Sequence, residues 1–134
     1  MIVVEHRAWP LATDEVTEAG KPFEVRMTMP EGLWRFVNYA VSPESASCHT
    51  LLSMKIGEVP ILVRPVPASF FEIDADSLLS DLLTRVVLVR GGTVVVVEAV
   101  RDRGEPSKFL SAISFDALVD EHVVKTSPGD GGRA

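Results

Sequence analysis

Residues 81–118 hold the most strongly β-forming composition of the chain, and any fold must find sheet positions for them. The run DLLTRVVLVR meets Gly91-Gly92, continues as TVVVVEAVRD, breaks at Arg103-Gly104-Glu105-Pro106 and resumes as SKFLSAISFDAL. Valine and threonine carry two heavy atoms on Cβ, which suits a pleated, packed surface. A Gly-Gly pair between two such runs signals a hairpin, because glycine adopts the positive φ that tight turns require. Gly and Pro among polar residues mark the second turn. The stretch therefore predicts three consecutive antiparallel strands. Residues 94–97 are apolar on both faces, as in a central strand covered on both sides.

A chain of 134 residues, 46% of them hydrophobic, suits one packed domain rather than disorder. We expect that domain to span residues 1–125, with a flexible Gly-rich tail at 126–134. No uncharged apolar run approaches the roughly 20 residues of a membrane span, and MIVVEHRAWP takes up charge too early for a signal peptide. One cysteine, Cys48, excludes an internal disulfide and gives too few thiolates for a zinc site, so the expectation is a cytoplasmic protein without metal or cofactor. The net charge of −6, from 19 acidic and 13 basic residues, disfavours non-specific nucleic-acid binding.

Read in order, residues 2–8 form a short strand that Trp9-Pro10 ends, and residues 23–29 alternate as a half-buried strand. Residues 31–41 place Leu33, Phe36, Val37 and Ala40 at helical spacing, which predicts a short helix or helical loop. Ser42-Pro43-Glu44 reads as a cap, a first-turn proline and a dipole partner. That start predicts a helix over 43–56, about 21 Å long, stopped at Gly57. Its apolar stripe would be Cys48, Leu51, Leu52 and Ile56. Prolines 60, 65 and 67 make residues 59–63 an edge or a connection. Residues 68–73 are a further strand candidate, and 74–80 a turn or helical bend. The whole predicts an α+β domain with one helix packed across an antiparallel sheet.

Two segments, RPVPASFFEID and LLTRVVLVRGGTVVVVEAVRDRGEPSKFLSAISFDAL, resemble the C-terminal half of the hotdog-fold thioesterases of the PaaI type. The likeness rests on Arg90-Gly91-Gly92-Thr93-Val94-Val95-Val96-Val97-Glu98 and on Ala112-Ile113-Ser114-Phe115, and spans about residues 42–118. It implies a curved antiparallel sheet around one central helix, a homodimer or homotetramer with continuous sheets, and an acyl-CoA or similar thioester at the subunit interface. It also implies a helix carboxylate as base or nucleophile and helix N-terminal amides that polarise the thioester carbonyl. Val41-Ser42-Pro43-Glu44-Ser45 stands where the family has His-Gly-Gly, and Ser53 stands at the position of the family carboxylate.

The candidate catalytic residues are thus Glu44, His49 and Ser53, as carboxylate, base and water-orienting hydroxyl. Asn38, Arg64 and Arg90 are the candidate substrate contacts, the arginines toward coenzyme A phosphates. Each also has a plain structural reading: helix-dipole partner, exposed helix residue, packing, loop cap or solvated strand end. Cys48 and His49, adjacent on the expected helix, would point about 100° apart and form no couple. Three functional readings follow. The first is an acyl-thioester hydrolase. The second is a non-catalytic hotdog-like domain that binds an acyl or aromatic ligand or a protein partner. The third is an unrelated α+β binding fold with a pocket enclosed by one chain.

Overall fold

The computed structural model describes residues 2–62, 64–72 and 87–119. In chain order these form β1 (Ile2–Ala12), β2 (Phe23–Thr28), β3 (Leu33–Val41), a one-turn helix α1 (Pro43–Ala46), β4 (His49–Ile56), β5 (Val59–Leu62) and β6 (Val66–Pro67). A 3-10 turn (Ala68–Phe71), β7 (Leu88–Arg90), β8 (Val94–Arg101) and β9 (Leu110–Val119) follow. One sheet runs β1-β9-β3-β7; the other runs β2-β8-β4-β5, with β6 on β4. All the strand pairs are antiparallel. The two sheets enclose one core: Trp34, Phe36, Tyr39, Ile113 and Phe115 come from the first, and Leu51, Met54, Ile56, Val95 and Val97 from the second.

This architecture overturns the hotdog-like α+β expectation. The helix predicted over 43–56 exists only as α1, and its remainder is β4. The stretch at 31–41, expected as helical, is β3. Both misreadings have one cause. In β3 the register on β9 shifts between Phe36 and Asn38, so burial passes from Trp34 and Phe36 to Tyr39 and Val41. In β4 it shifts between Leu51 and Ser53, so burial passes from His49 and Leu51 to Met54 and Ile56. A bulge adds one residue and flips the side-chain parity. Two period-2 runs joined that way imitate helical spacing.

The three-strand meander is also corrected. β7 lies on β3, β8 lies between β2 and β4, and β9 lies between β1 and β3. The two turns therefore carry the chain from sheet to sheet rather than from strand to neighbouring strand. At the first, the Gly91 amide donates to the Gly32 carbonyl (3.0 Å) and the Gly92 amide to the Met29 carbonyl (2.9 Å). A Cβ on Gly91 would stand 2.8 Å from Glu31 Cα, so glycine is needed there for close approach rather than for a hairpin. The central position expected for 94–97 holds, because β8 has a partner on each side.

Smaller expectations divide. β2 and the edge strand β5 form as expected, whereas β1 runs on through Trp9-Pro10. The residues 68–71 expected as strand form a 3-10 turn. Gly57, expected to stop a helix, turns β4 into β5 with φ +62. The bend expected at 74–80, the start of the first valine run and the tail at 126–134 lie outside the described residues.

Candidate functional site

The candidate residues Glu44 and His49 flank the corner between α1 and β4, Glu44 exposed on α1 and His49 buried at the start of β4. The Ser42 hydroxyl accepts from the Ser45 amide (3.3 Å), as the expected cap does. The Ser45 hydroxyl then donates to the Lys108 carbonyl (2.9 Å) and accepts from the Leu110 amide (2.8 Å), which ties α1 to the start of β9. After one turn the chain is drawn into β4 by its pairing with β8.

His49 is fully buried. Its Nδ1 lies 2.8 Å from the Ser45 carbonyl, which can only accept, so Nδ1 carries the proton. Its Nε2 lies 3.0 Å from the Thr17 hydroxyl. The same hydroxyl lies 3.0 Å from the Ser107 carbonyl, which also accepts from the Thr17 amide (3.0 Å), so its one proton has two acceptors within reach, that carbonyl and His49 Nε2. Arg101 donates from Nη2 (2.7 Å) and Nε (3.1 Å) to the Thr17 carbonyl. Phe23 and Phe109 set their rings edge-on to the imidazole at 5.7 and 5.1 Å. Burial lowers the His49 pKa below its ordinary value; the Ser45 carbonyl opposes this, and the Arg101 charge adds to it.

The Cys48 thiol sits beside this group, 3.0 Å from the Ser107 hydroxyl and 3.3 Å from His49 Nδ1. Adjacency in a strand start brings together two side chains that a helix would have separated. Yet Nδ1 holds its proton against the Ser45 carbonyl and cannot take one from sulfur. The pair lacks the base that thiol activation needs. Cys48, Glu44, Glu105 and Ser107 line an open cleft of about 470 Å³ between α1 and the β8–β9 loop.

The other candidates lie apart. Ser53 is four residues along β4 from His49, about 13 Å at the strand rise. Its hydroxyl is 3.3 Å from a Glu98 carboxylate oxygen. Asn38 follows the β3 bulge, where its carbonyl accepts from the Ser114 hydroxyl (3.4 Å). Arg64 is exposed between β5 and β6, and Arg90 is exposed at the end of β7. No shared site joins these four to the α1 corner.

A different feature stands out on β1. Residues 2–8 are exposed throughout, and Ile2, Val3 and Val4 are 39, 46 and 58% exposed. Among the described residues, β1 pairs with β9 and with no other strand. The Thr13 amide donates to the Phe109 carbonyl (2.9 Å) in continuation of the β1–β9 register. Antiparallel ladders alternate, so Leu11, Trp9 and Arg7 turn their backbone groups toward β9, while Pro10, Ala8 and His6 turn theirs outward. Pro10, which has no N–H, thus sits where an edge strand tolerates it.

On the outer face of this sheet, Asp116 of β9 bridges two neighbours. One oxygen accepts from Arg35 Nη2 on β3 (2.8 Å), and the other lies 2.7 Å from His6 Nδ1 on β1. Compared with protein-family models, curated proteins and solved structures, the chain matches none.

The site must therefore be read from its own residues. Among the described residues no group of three His, Cys, Asp or Glu is placed to hold a metal ion, and no helix is long and apolar enough to cross a membrane. Sequence reasoning missed Thr17, Arg101 and Ser107, which have no local signature and meet His49 only through the fold. It also missed the reach of β1. The alternation of Arg7, Trp9 and Leu11 was its signal, obscured by Pro10 and by a bulge at Val4.

Proposed function

We propose that this chain is a non-catalytic binding domain that recognises an extended polypeptide by adding it as a strand to β1. One observation carries the reading. β1 is long and exposed on both faces over 2–8, and its outward His6 and Ala8 backbone groups meet no strand among the described residues. Sheet edges of this kind template further pairing. Natural sheets usually blunt such edges, and Val4 and Pro10 do so only in part. The exposed apolar run Ile2-Val3-Val4 gives an added strand side chains to pack on.

The hydrolase reading has less to stand on. It calls for a long helix with free N-terminal amides and an available base beside them. Here α1 is a single turn, and the His49 ring nitrogens serve Ser45 and Thr17.

The test is a selection of displayed random peptides against the wild-type chain and against Ala8→Pro. That change removes one outward N–H and leaves the β9 ladder in place. Extended peptides that bind the wild type and lose binding to Ala8→Pro support the reading. Peptides indifferent to the change, or none, refute it.

A further inference from the structure

We infer that the strand added to β1 is the β1 strand of a second copy of this chain, laid antiparallel about a two-fold axis at His6. The inference rests on the strand-addition reading and names its partner. Outward-facing backbone groups must meet outward-facing groups, so His6 and Ala8 restrict the axis to alternate registers. An axis at Arg7 would oppose Arg7 to its own copy, and an axis at Glu5 would oppose two carboxylates. An axis at Ala8 would spend the His6 backbone on Pro10, which has no N–H to return.

An axis at His6 avoids all three. It makes His6 a doubly bonded pair with its copy. Glu5 then lies directly across from the second copy's Arg7, twice over by symmetry. Within one chain these two side chains already turn toward each other, with Arg7 Nε 3.8 Å from a Glu5 carboxylate oxygen. The Arg7 guanidinium is carried over the Trp9 ring, 5.0 Å from its centroid, and stays 45% exposed. An interface that repeats one patch on both subunits is the commonest form of self-association.

The experiment is sedimentation equilibrium across a micromolar-to-millimolar series for wild type, Glu5→Arg, Arg7→Glu and Ala8→Pro, with thermal melts to verify folding. Wild type should pass from 14.6 kDa to twice that mass. Each single reversal sets two like-charged pairs across the axis and should weaken association about tenfold or more. Mixed in equal amounts, Glu5→Arg and Arg7→Glu should dimerise with each other, because every cross-axis pair is then Arg opposite Glu. Weakening by both single reversals together with rescue in the mixture marks the register centred on His6, because an axis at Arg7 or at Glu5 leaves its own like-charged pair unchanged in one of the two single variants.

A wild type that stays monomeric, reversals without effect, or a mixture no better than its components each overturns self-pairing. If the wild type stays monomeric while displayed peptides still bind in an Ala8-dependent way, strand addition stands and the second copy is excluded. If the peptides fail too, both fall.

Discussion

His49 reaches Thr17 across 32 residues of chain, Nε2 to Oγ1 at 3.0 Å, in a setting closed to water. The fold holds the imidazole neutral there, and burial lowers its pKa. Unfolding releases the ring to its ordinary value near 6.5, so below that pH the unfolded chain binds the extra proton and the folded chain does not. Stability is complete above about 6.5 and falls as pH drops toward the lower folded value, by up to about 1.4 kcal/mol per pH unit. Urea midpoints from pH 7.5 to about 5 should show this slope, and His49→Gln should flatten it.

Asp116 titrates in a separate window. The hydrogen bond from Arg35, and after it the one from His6, hold its carboxyl below the usual carboxylate range. Its contribution is fully present above the ordinary value of about 3.9 and is lost as pH falls through the lower folded one. Acid titrations followed by circular dichroism should show a loss below about pH 4. Asp116→Asn should reduce that loss and leave the His49 slope intact.

Gly91 and Gly92 are adjacent but not equivalent. A Cβ on Gly91 meets backbone on two sides, Glu31 Cα at 2.8 Å and the Pro30 carbonyl at 2.9 Å, whereas one on Gly92 meets nothing within 4 Å. Gly91→Ala should cost about 2–3 kcal/mol through overpacking. Gly92→Ala, strained by its φ of +88, should cost about 1 kcal/mol. Denaturant midpoints of the two variants should rank in that order.

Tyr39 is fully buried, and its hydroxyl has no hydrogen-bond partner among the described residues. The neighbouring Ser111 hydroxyl donates its proton to the Leu11 carbonyl (2.6 Å) and so has none to give Tyr39. Removing an unsatisfied buried hydroxyl while keeping the ring should be neutral or stabilising, by up to about 1 kcal/mol. Tyr39→Phe should therefore melt at or above the wild-type temperature, with the Phe71 edge contact preserved.

The β2 strand, the turns at 91–92 and 103–106, the Ser42 cap and the central place of 94–97 were all legible in the sequence, whereas the β4–β5 turn at Gly57 was hidden behind the expected helix stop. Each follows from a few neighbouring residues: side-chain alternation, glycine at a turn, or a serine at a helix start. Around His49 only Ser45 and Cys48 are neighbours in the sequence; Thr17, Arg101 and Ser107 arrive there from loops and strands distant in the chain.

Which strands pair, and whether residues 49–56 are helix or strand, was decided by the tertiary structure. The Ser42 start signals one turn of helix and cannot say how far it runs. Beyond it, β8 supplies a ladder of backbone partners that a solitary helix would forgo. The bulges after Phe36 and Leu51 flip the buried face mid-strand, a shift with meaning only against the partner strand that creates it. Whether two valine-rich runs form a hairpin or an arch between sheets depends on what lies beneath the turn, and here the backbone of Pro30 and Glu31 packs against Gly91.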